Sequence, residues 1–361
     1  MKIWTGSLVV LLVLTGPLQC QAGAVRVGTT FSQVQCEYLE LDWKKIYRKT
    51  LNMGFDVVRL GAYWNRIEKK EGEFDFRELD RQMELAEECG QKIMLVVGMK
   101  APRWPEYFLP VWLWEKVHVR NGSDISADPN VRERVPIFIE KVITRYSGSN
   151  NIIAWQVENE PFNRSGPNEW WISEEFLKKE MELVRDLDPL KRPIVLNVLS
   201  FPNKLLGFLS RLMYKKNPIL ATIDLAQIPA VNVYPVIGHK IWGAGICFRS
   251  EPTERISYLK GLVSYAEKRN KVLWVTELQA EPWEPGHLVY KGERAITCLP
   301  GSFMGTFEEL RSAEIDAIFL WGVEYWFFRK EQYGDDSWVD VACDILEKER
   351  PDRPDARGIL I

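Results

Sequence analysis

Short apolar runs alternate with amphipathic helical stretches eight times along this chain, and that rhythm restricts the fold more than any other feature. The runs are Val25–Phe31, Asp56–Trp64, Lys92–Gly98, Asn151–Val157, Arg192–Ser200, Pro229–Pro235, Lys271–Leu278 and Glu314–Trp326, the last taken together with its exit loop. Helical patterns fall between them over Asp42–Gly54, Asp75–Gly90, Val131–Tyr146, Ser173–Leu187, Lys204–Lys215, Pro252–Asn270 and Ser302–Ala313, with a last one at Trp338–Lys348. In Asp75–Gly90, Phe76, Leu79, Met83 and Ala86 share one face and Gly90 ends the pattern. Apolar runs joined through helices are parallel strands buried on both faces.

Eight such units predict a closed (β/α)8 TIM barrel. An open doubly wound sheet would place a Gly-rich phosphate loop after an early strand. The stretch after the first run, Val27-Gly28-Thr29-Thr30-Phe31-Ser32, is not one. With no repeat, linker or low-complexity tract, residues 25–361 read as one domain. The long loops after the third, fourth, sixth and seventh strands then gather at the C-terminal face, where barrels of this kind carry their sites.

The first 24 residues read differently. Lys2 precedes the apolar run Ser7–Leu18, and Ala22-Gly23-Ala24 offers a small-x-small cleavage site, the layout of a signal peptide. The run is too short for a membrane span of about 20 residues. The expectation is an exported chain, secreted or periplasmic, without a membrane span once the signal is removed. Net charge is −3 with no basic stripe, which argues against a nucleic-acid partner. The three histidines, His118, His239 and His287, lack ligand spacing, and the cysteines form no C-x-x-C pair, so neither metal nor cofactor is expected. In an exported chain Cys247–Cys298 is a conceivable disulfide; buried thiols are the simpler expectation. Asn121 and Asn163 begin N-x-S sequons.

The chemistry concentrates where apolar runs end in polar side chains. These are Arg59 on the second strand, Glu158, Asn159 and Glu160 on the fourth, Asn232 and Tyr234 on the sixth, Glu277 on the seventh and Trp321 on the eighth. A carboxylate at the end of a buried strand is costly without partners. Two such strands nearly opposite each other in a ring of eight can flank a scissile glycosidic bond. Strand alternation puts Glu158 and Glu160 on one side and does not choose between them.

Here the sequence resembles the retaining clan A glycoside hydrolases, which have (β/α)8 barrels. Trp155-Gln156-Val157-Glu158-Asn159-Glu160-Pro161 contains the Asn-Glu pair that ends the clan's fourth strand. Thr276-Glu277 matches its seventh-strand nucleophile motif. The resemblance implies Glu160 as acid/base, Glu277 as nucleophile and Asn159 as a ligand of the sugar 2-hydroxyl. It further implies that Arg59 and Tyr234 hold the nucleophile and that Trp321 floors the sugar site. Tyr63–Asp80 also resembles a run of family 42 and related β-glycosidases. Many family 5 enzymes carry His-x-Tyr on strand six; this chain has Asn232-Val233-Tyr234.

On this reading a β-linked oligo- or polysaccharide is the substrate. Glu160 must be protonated to donate to the leaving oxygen and Glu277 ionised to attack, as burial and an adjacent arginine favour. Glu158 is expected to be structural. Trp104 is the best aromatic candidate for sugar contact, with Trp64, Trp112, Trp114, Trp170, Trp171, Trp283 and Trp326 beside the same loops; Glu281 and Glu324 are candidate hydroxyl binders. A cell-surface β-glycan transglycosylase, and a carbohydrate-binding barrel without catalysis, are the competing readings.

Overall fold

The strand interiors show how one sequence period builds both the core and the site. On the inward face Val57, Met94, Ala154, Val195, Ala230, Trp274, Ala317 and Phe319 pack together as one apolar layer. Side chains two residues further along a strand lie on the same face. In five strands the residue two places on is polar: Arg59, Gln156, Asn197, Asn232 and Thr276, all fully buried. An apolar plug therefore supports a polar floor, and the strand-end residues stand above that floor.

A computed structural model describes residues 25–200, 217–241, 244–284, 289, 293 and 295–351. Its barrel is closed and wholly parallel. The strands are β1 (Arg26–Phe31), β2 (Val57–Gly61), β3 (Lys92–Val97), β4 (Ile152–Val157), β5 (Ile194–Ser200), β6 (Ile228–Val233), β9 (Trp274–Gln279) and β10 (Ala317–Trp321). They run in the ring order β1-β10-β9-β6-β5-β4-β3-β2. A second apolar layer fills the space between strands and outer helices, with Val58, Leu60, Leu95, Val97, Trp155, Val157, Leu196 and Leu278 facing it.

The helices begin where short polar side chains can satisfy their free N–H groups. Asp42 caps Trp43–Asn52 through the N–H groups of Lys44 and Lys45, and Asp128 caps Pro129–Tyr146 through those of Asn130 and Val131. The predicted helices at 75–90, 173–187, 252–270, 302–313 and 338–348 are found as Arg77–Glu88, Glu174–Leu187, Pro252–Glu267, Pro300–Ser312 and Ser337–Glu349. The predicted helix Lys204–Lys215 and the signal segment lie outside the described residues.

Three features depart from the expectation. An antiparallel hairpin, β7 (Val236–Ile241) with β8 (Ala244–Arg249), is inserted after β6. Short helices occur at Gln33–Tyr38 and Pro218–Leu225. The last strand, β10, ends at Trp321, and the stretch after it, expected as an exit loop, is a helix over Val323–Tyr333. Gly322 makes that break at φ +132°, where a Cβ would come within 2.7 Å of Glu281 Cβ. Val323–Phe328 therefore belongs to a buried helix rather than to an exit loop.

Among the described residues no helix is long and apolar enough to cross a membrane. Cys247 and Cys298 are free thiols, so the conceivable disulfide is not formed. Cys298 is buried, and burial pushes its thiol up to about 12.

Candidate active site

Glu277 reaches the barrel interior through an irregularity in β9. Between β6 and β9 the register runs from Val231↔Val275 to Asn232↔Glu277, one residue more on β9. The pairing with β10 shifts at the same place, from Ile318↔Val275 to Leu320↔Leu278. A bulge re-aims the side chain that follows it. Thr276 keeps the inward position of the polar floor, and Glu277 also meets partners from inside the ring.

Those partners are a guanidinium and a phenol. The Arg59 Nη1 donates to Glu277 Oε1 at 2.7 Å, and the Tyr234 hydroxyl donates to Oε2 at 2.7 Å. Arg59 is fully buried, and its other nitrogens donate to Gln156 Oε1 at 2.8 Å and Asn159 Oδ1 at 2.6 Å. Burial, reinforced by the Glu277 charge, lifts the Tyr234 phenol well above its ordinary range. It therefore remains a donor at neutral pH.

Glu160 has a different environment. It follows the end of β4 in a left-handed conformation at φ 46°, as does Glu158 at φ 59°. Because β4 ends at Val157, strand alternation does not govern this segment, and the two carboxylates part company. Asn232 Nδ2 donates to Glu160 Oε1 at 2.5 Å, and Asn163 Nδ2 donates to Oε2 at 3.3 Å. The buried Lys100 ammonium does not pair with the Glu160 carboxylate. It donates to the backbone oxygens of Glu160 at 2.8 Å and Asn163 at 3.1 Å, and lies 3.4 Å from Glu106. Burial, with the Glu277 charge second, pushes the Glu160 carboxyl up to about 8.

A chain of neutral amides and a hydroxyl ties the two carboxylates together. Asn197 Oδ1 accepts from the Glu160 backbone N–H at 2.7 Å, while Asn197 Nδ2 donates to Asn159 Oδ1 at 2.9 Å and Thr276 Oγ1 at 3.2 Å. Thr276 Oγ1 donates to Asn232 Oδ1 at 2.7 Å, which fixes the Asn232 amide with its nitrogen towards Glu160. Asn232 also pairs in register with Glu277, so it bridges β4 and β9.

Other predicted residues fall into distinct places. Trp321 lies with Tyr234 and Ile237, and the Arg103 guanidinium covers its ring at 4.0 Å. Arg103 forms ion pairs with both Glu281 and Glu324. Glu324 also accepts the Ser32 backbone N–H at 2.5 Å, whereas Glu281 Oε2 has no hydrogen-bond partner among the described residues. Trp104, on the loop after β3, is 67% exposed. Trp64, Trp170 and Trp326 are buried, with Trp64 stacked on Phe138 and Trp326 on Phe303. Trp283 is half-exposed, with its ring 5.0 Å from that of Tyr234. Asn163, a formal glycosylation acceptor, is buried against Glu160.

Lys100, Arg103, Asn163 and Asn197 escape a strand-end reading of the sequence. Asn197 could have been found as a polar residue inside the apolar run Ile194–Ser200. Lys100, Arg103 and Asn163 are loop residues whose burial no local pattern announces. Among the described residues no group of His, Cys, Asp and Glu could hold a metal ion.

A parallel eight-stranded barrel with glutamates at the ends of its fourth and seventh ring strands defines an architectural class, and in it this chain is similar to the clan A glycoside hydrolases. In sequence it is similar to the Glyco_hydro_42 family, described as Beta-galactosidase, whose profile matches residues 36–174. That segment contains Arg59, Asn159 and Glu160, and ends before Tyr234, Glu277 and Trp321. Beta-galactosidase BgaA of Clostridium cellulovorans is 26% identical over 134 residues, which cover 33% of this chain and 19% of BgaA. Beta-galactosidase BglY of Alicyclobacillus acidocaldarius is 31% identical over 121 residues, covering 29% of this chain and 17% of that protein. The chain thus matches less than a fifth of the length of either relative.

Solved structures share the fold over most of the chain. The GH5_18 structure from Streptomyces cattleya in complex with GlcNAc superposes with a TM-score of 0.60 at 15% identity, covering 92% of this chain and 82% of that one. The polyextremophilic beta-galactosidase of Halorubrum lacusprofundi gives a TM-score of 0.58 at 15% identity, covering 90% and 58%.

Proposed function

We propose that this protein is an exported, retaining β-glycoside hydrolase that works by double displacement, with Glu277 as nucleophile and Glu160 as acid/base. The observation that carries the reading is the contrast between two neighbouring carboxylates. Glu277 is held by a guanidinium and a phenol, whereas among the described residues the Glu160 carboxylate is held by neutral amides alone, and it is raised by burial. A carboxyl raised by burial beside a second carboxylate is suited to be the proton donor of the pair.

In the first step Glu277 attacks the anomeric carbon while Glu160 gives its proton to the leaving oxygen. Forming the glycosyl ester removes the charge on Glu277, which lowers the proton affinity of Glu160. Glu160 then takes a proton from water as that water opens the ester, restoring both groups. Asn159, oriented by Arg59 and Asn197, is the ligand for the sugar 2-hydroxyl. Tyr234 and Trp321, with Trp104 at the exposed edge, complete the proposed substrate contacts.

The substrate is a β-linked sugar. The names of the relatives direct the first screen to aryl β-galactosides, and neighbours such as the exo-beta-1,4-mannosidase Op5Man5 add β-mannosides. The decisive experiment uses Glu160→Ala and Glu277→Ala with an activated aryl β-glycoside and azide. The Glu277 variant should give the α-glycosyl azide by one inversion, and the Glu160 variant the β-azide. The opposite pattern reverses the two roles, and variants with wild-type rates remove both. Export rests on the N-terminal segment; N-terminal sequencing of protein recovered outside the producing cytoplasm should begin near Val25.

A further inference from the structure

The buried carboxyl groups of Glu158 and Glu180 have no part in the chemistry above, and each lies where a charge is costly. Glu158 turns away from Glu160. Its Oε1 accepts the Met99 N–H at 2.9 Å and its Oε2 accepts the Lys100 N–H at 2.6 Å. Gly98, at φ +117°, makes room for this: a Cβ there would run into the Glu158 carboxylate. Glu180 projects from the helix Glu174–Leu187, is 1% exposed, and among the described residues neither of its oxygens has a conventional donor. What it does meet is the Glu158 carboxyl, at hydrogen-bonding distance.

Two carboxylates in contact inside a protein do not both ionise. The charge belongs on Glu158, which already receives two backbone N–H groups; the proton belongs on Glu180, which has no other donor. Burial raises both carboxyls, and Glu158 raises Glu180 further. The charged groups around the pair are Lys100 on the β3 side, with Glu106 beyond it, and Arg132, Glu175 and Lys179 along the cleft beside Glu180.

We infer that Glu158 and Glu180 form a proton-sharing clasp, carboxylic acid to carboxylate, that positions the acid/base Glu160. The clasp fixes Lys100 by its backbone N–H, and Lys100 in turn holds the Glu160 carbonyl through Nζ and the Asn159 N–H through its own carbonyl, at 2.8 Å each. Gln156 Nε2 donates to the Glu158 carbonyl at 2.8 Å, which secures the same turn from below. Glu158 and Glu180 are thus positioning residues acting through Lys100, and Glu180 ties the outer helix to the catalytic turn.

The test has two arms, and only the second rests on the proposed glycosidase activity. In the first, chemical unfolding of wild type and Glu180→Gln is followed from pH 5 to 8. A carboxyl that keeps its proton when folded but loses it when unfolded destabilises the fold as pH rises, by about tenfold in the unfolding constant per pH unit. Glu180→Gln, whose amide donates without titrating, should show a dependence shallower by one proton. An identical dependence in both proteins overturns the clasp.

In the second arm, Glu158→Gln sets an amide against a backbone N–H and should lower kcat by about tenfold or more with KM little changed. Glu180→Gln should recover the kcat lost in Glu180→Leu. Wild-type kcat in Glu158→Gln, or equal losses in the two Glu180 variants, removes the positioning role. If the wild type hydrolyses no glycoside, the proposed function falls, and the first arm still decides the clasp.

Discussion

Arg59 and Glu277 should behave as a coupled buried pair, and that coupling can be measured without knowing the sugar. The guanidinium side chain is 0% exposed and the carboxylate side chain 6%, with 2.7 Å between them. Replacing Arg59 with Met leaves Glu277 with the Tyr234 hydroxyl among the described donors and strands the Gln156 oxygen that Arg59 also serves, while Asn159 Oδ1 keeps the Asn197 amide. Removing one partner of a buried pair typically costs about 3–5 kcal/mol. Glu277→Gln leaves Arg59 as an uncompensated buried cation, at a similar or smaller cost. In the double variant neither charge remains, so the loss should fall short of the sum by about 2–3 kcal/mol. Urea unfolding at pH 7 of the wild type, both single variants and the double variant gives the four free energies required. A coupling below about 0.5 kcal/mol, the scatter of independent sites, would refute the pairing argument.

The remaining predictions address the loops and the proton. The Glu160 carboxyl, raised to about 8, should set an alkaline limb of kcat/KM near that pH, and Glu160→Gln with an activated leaving group should lack it. The same raised value implies stability lost as pH climbs from the unfolded carboxyl range, about 4.3, towards 8, and Glu160→Gln should flatten that slope in thermal melts. Arg103→Ala leaves Glu281 and Glu324 without their counterion, so denaturant titration should register a loss of about 3–5 kcal/mol; a change under about 1 kcal/mol would show that the cluster is solvated in solution. Produced in a glycosylating host, the protein should carry glycan at the exposed Asn121 and none at the buried Asn163, as peptide mass spectrometry can determine.

Much of the architecture was legible because barrel strands and helices are local periodic patterns. Eight apolar runs, with helices between them, are enough to specify a closed parallel barrel once each strand must bury both faces. Where a loop was expected after the eighth strand there is a helix: Val323–Phe328 is buried in it, because Gly322 turns the chain after β10. The hairpin β7–β8 was missed because its two short strands pair with each other rather than with the ring.

The sequence by itself determined the identity of the strand-end groups: a strand that ends in Glu, Arg or Tyr delivers that group to the barrel mouth wherever the helices pack. Only the tertiary structure decided their partners. The bulge that turns Glu277 inward exists as a mismatch between β9 and both its neighbours, which no single strand records. The division between Glu158 and Glu160 depends on left-handed turns, on amides brought from β6 and on a carboxyl brought from an outer helix. Proton affinity follows from those long-range neighbours and from burial, so two glutamates one residue apart acquire different roles only once the ring has closed.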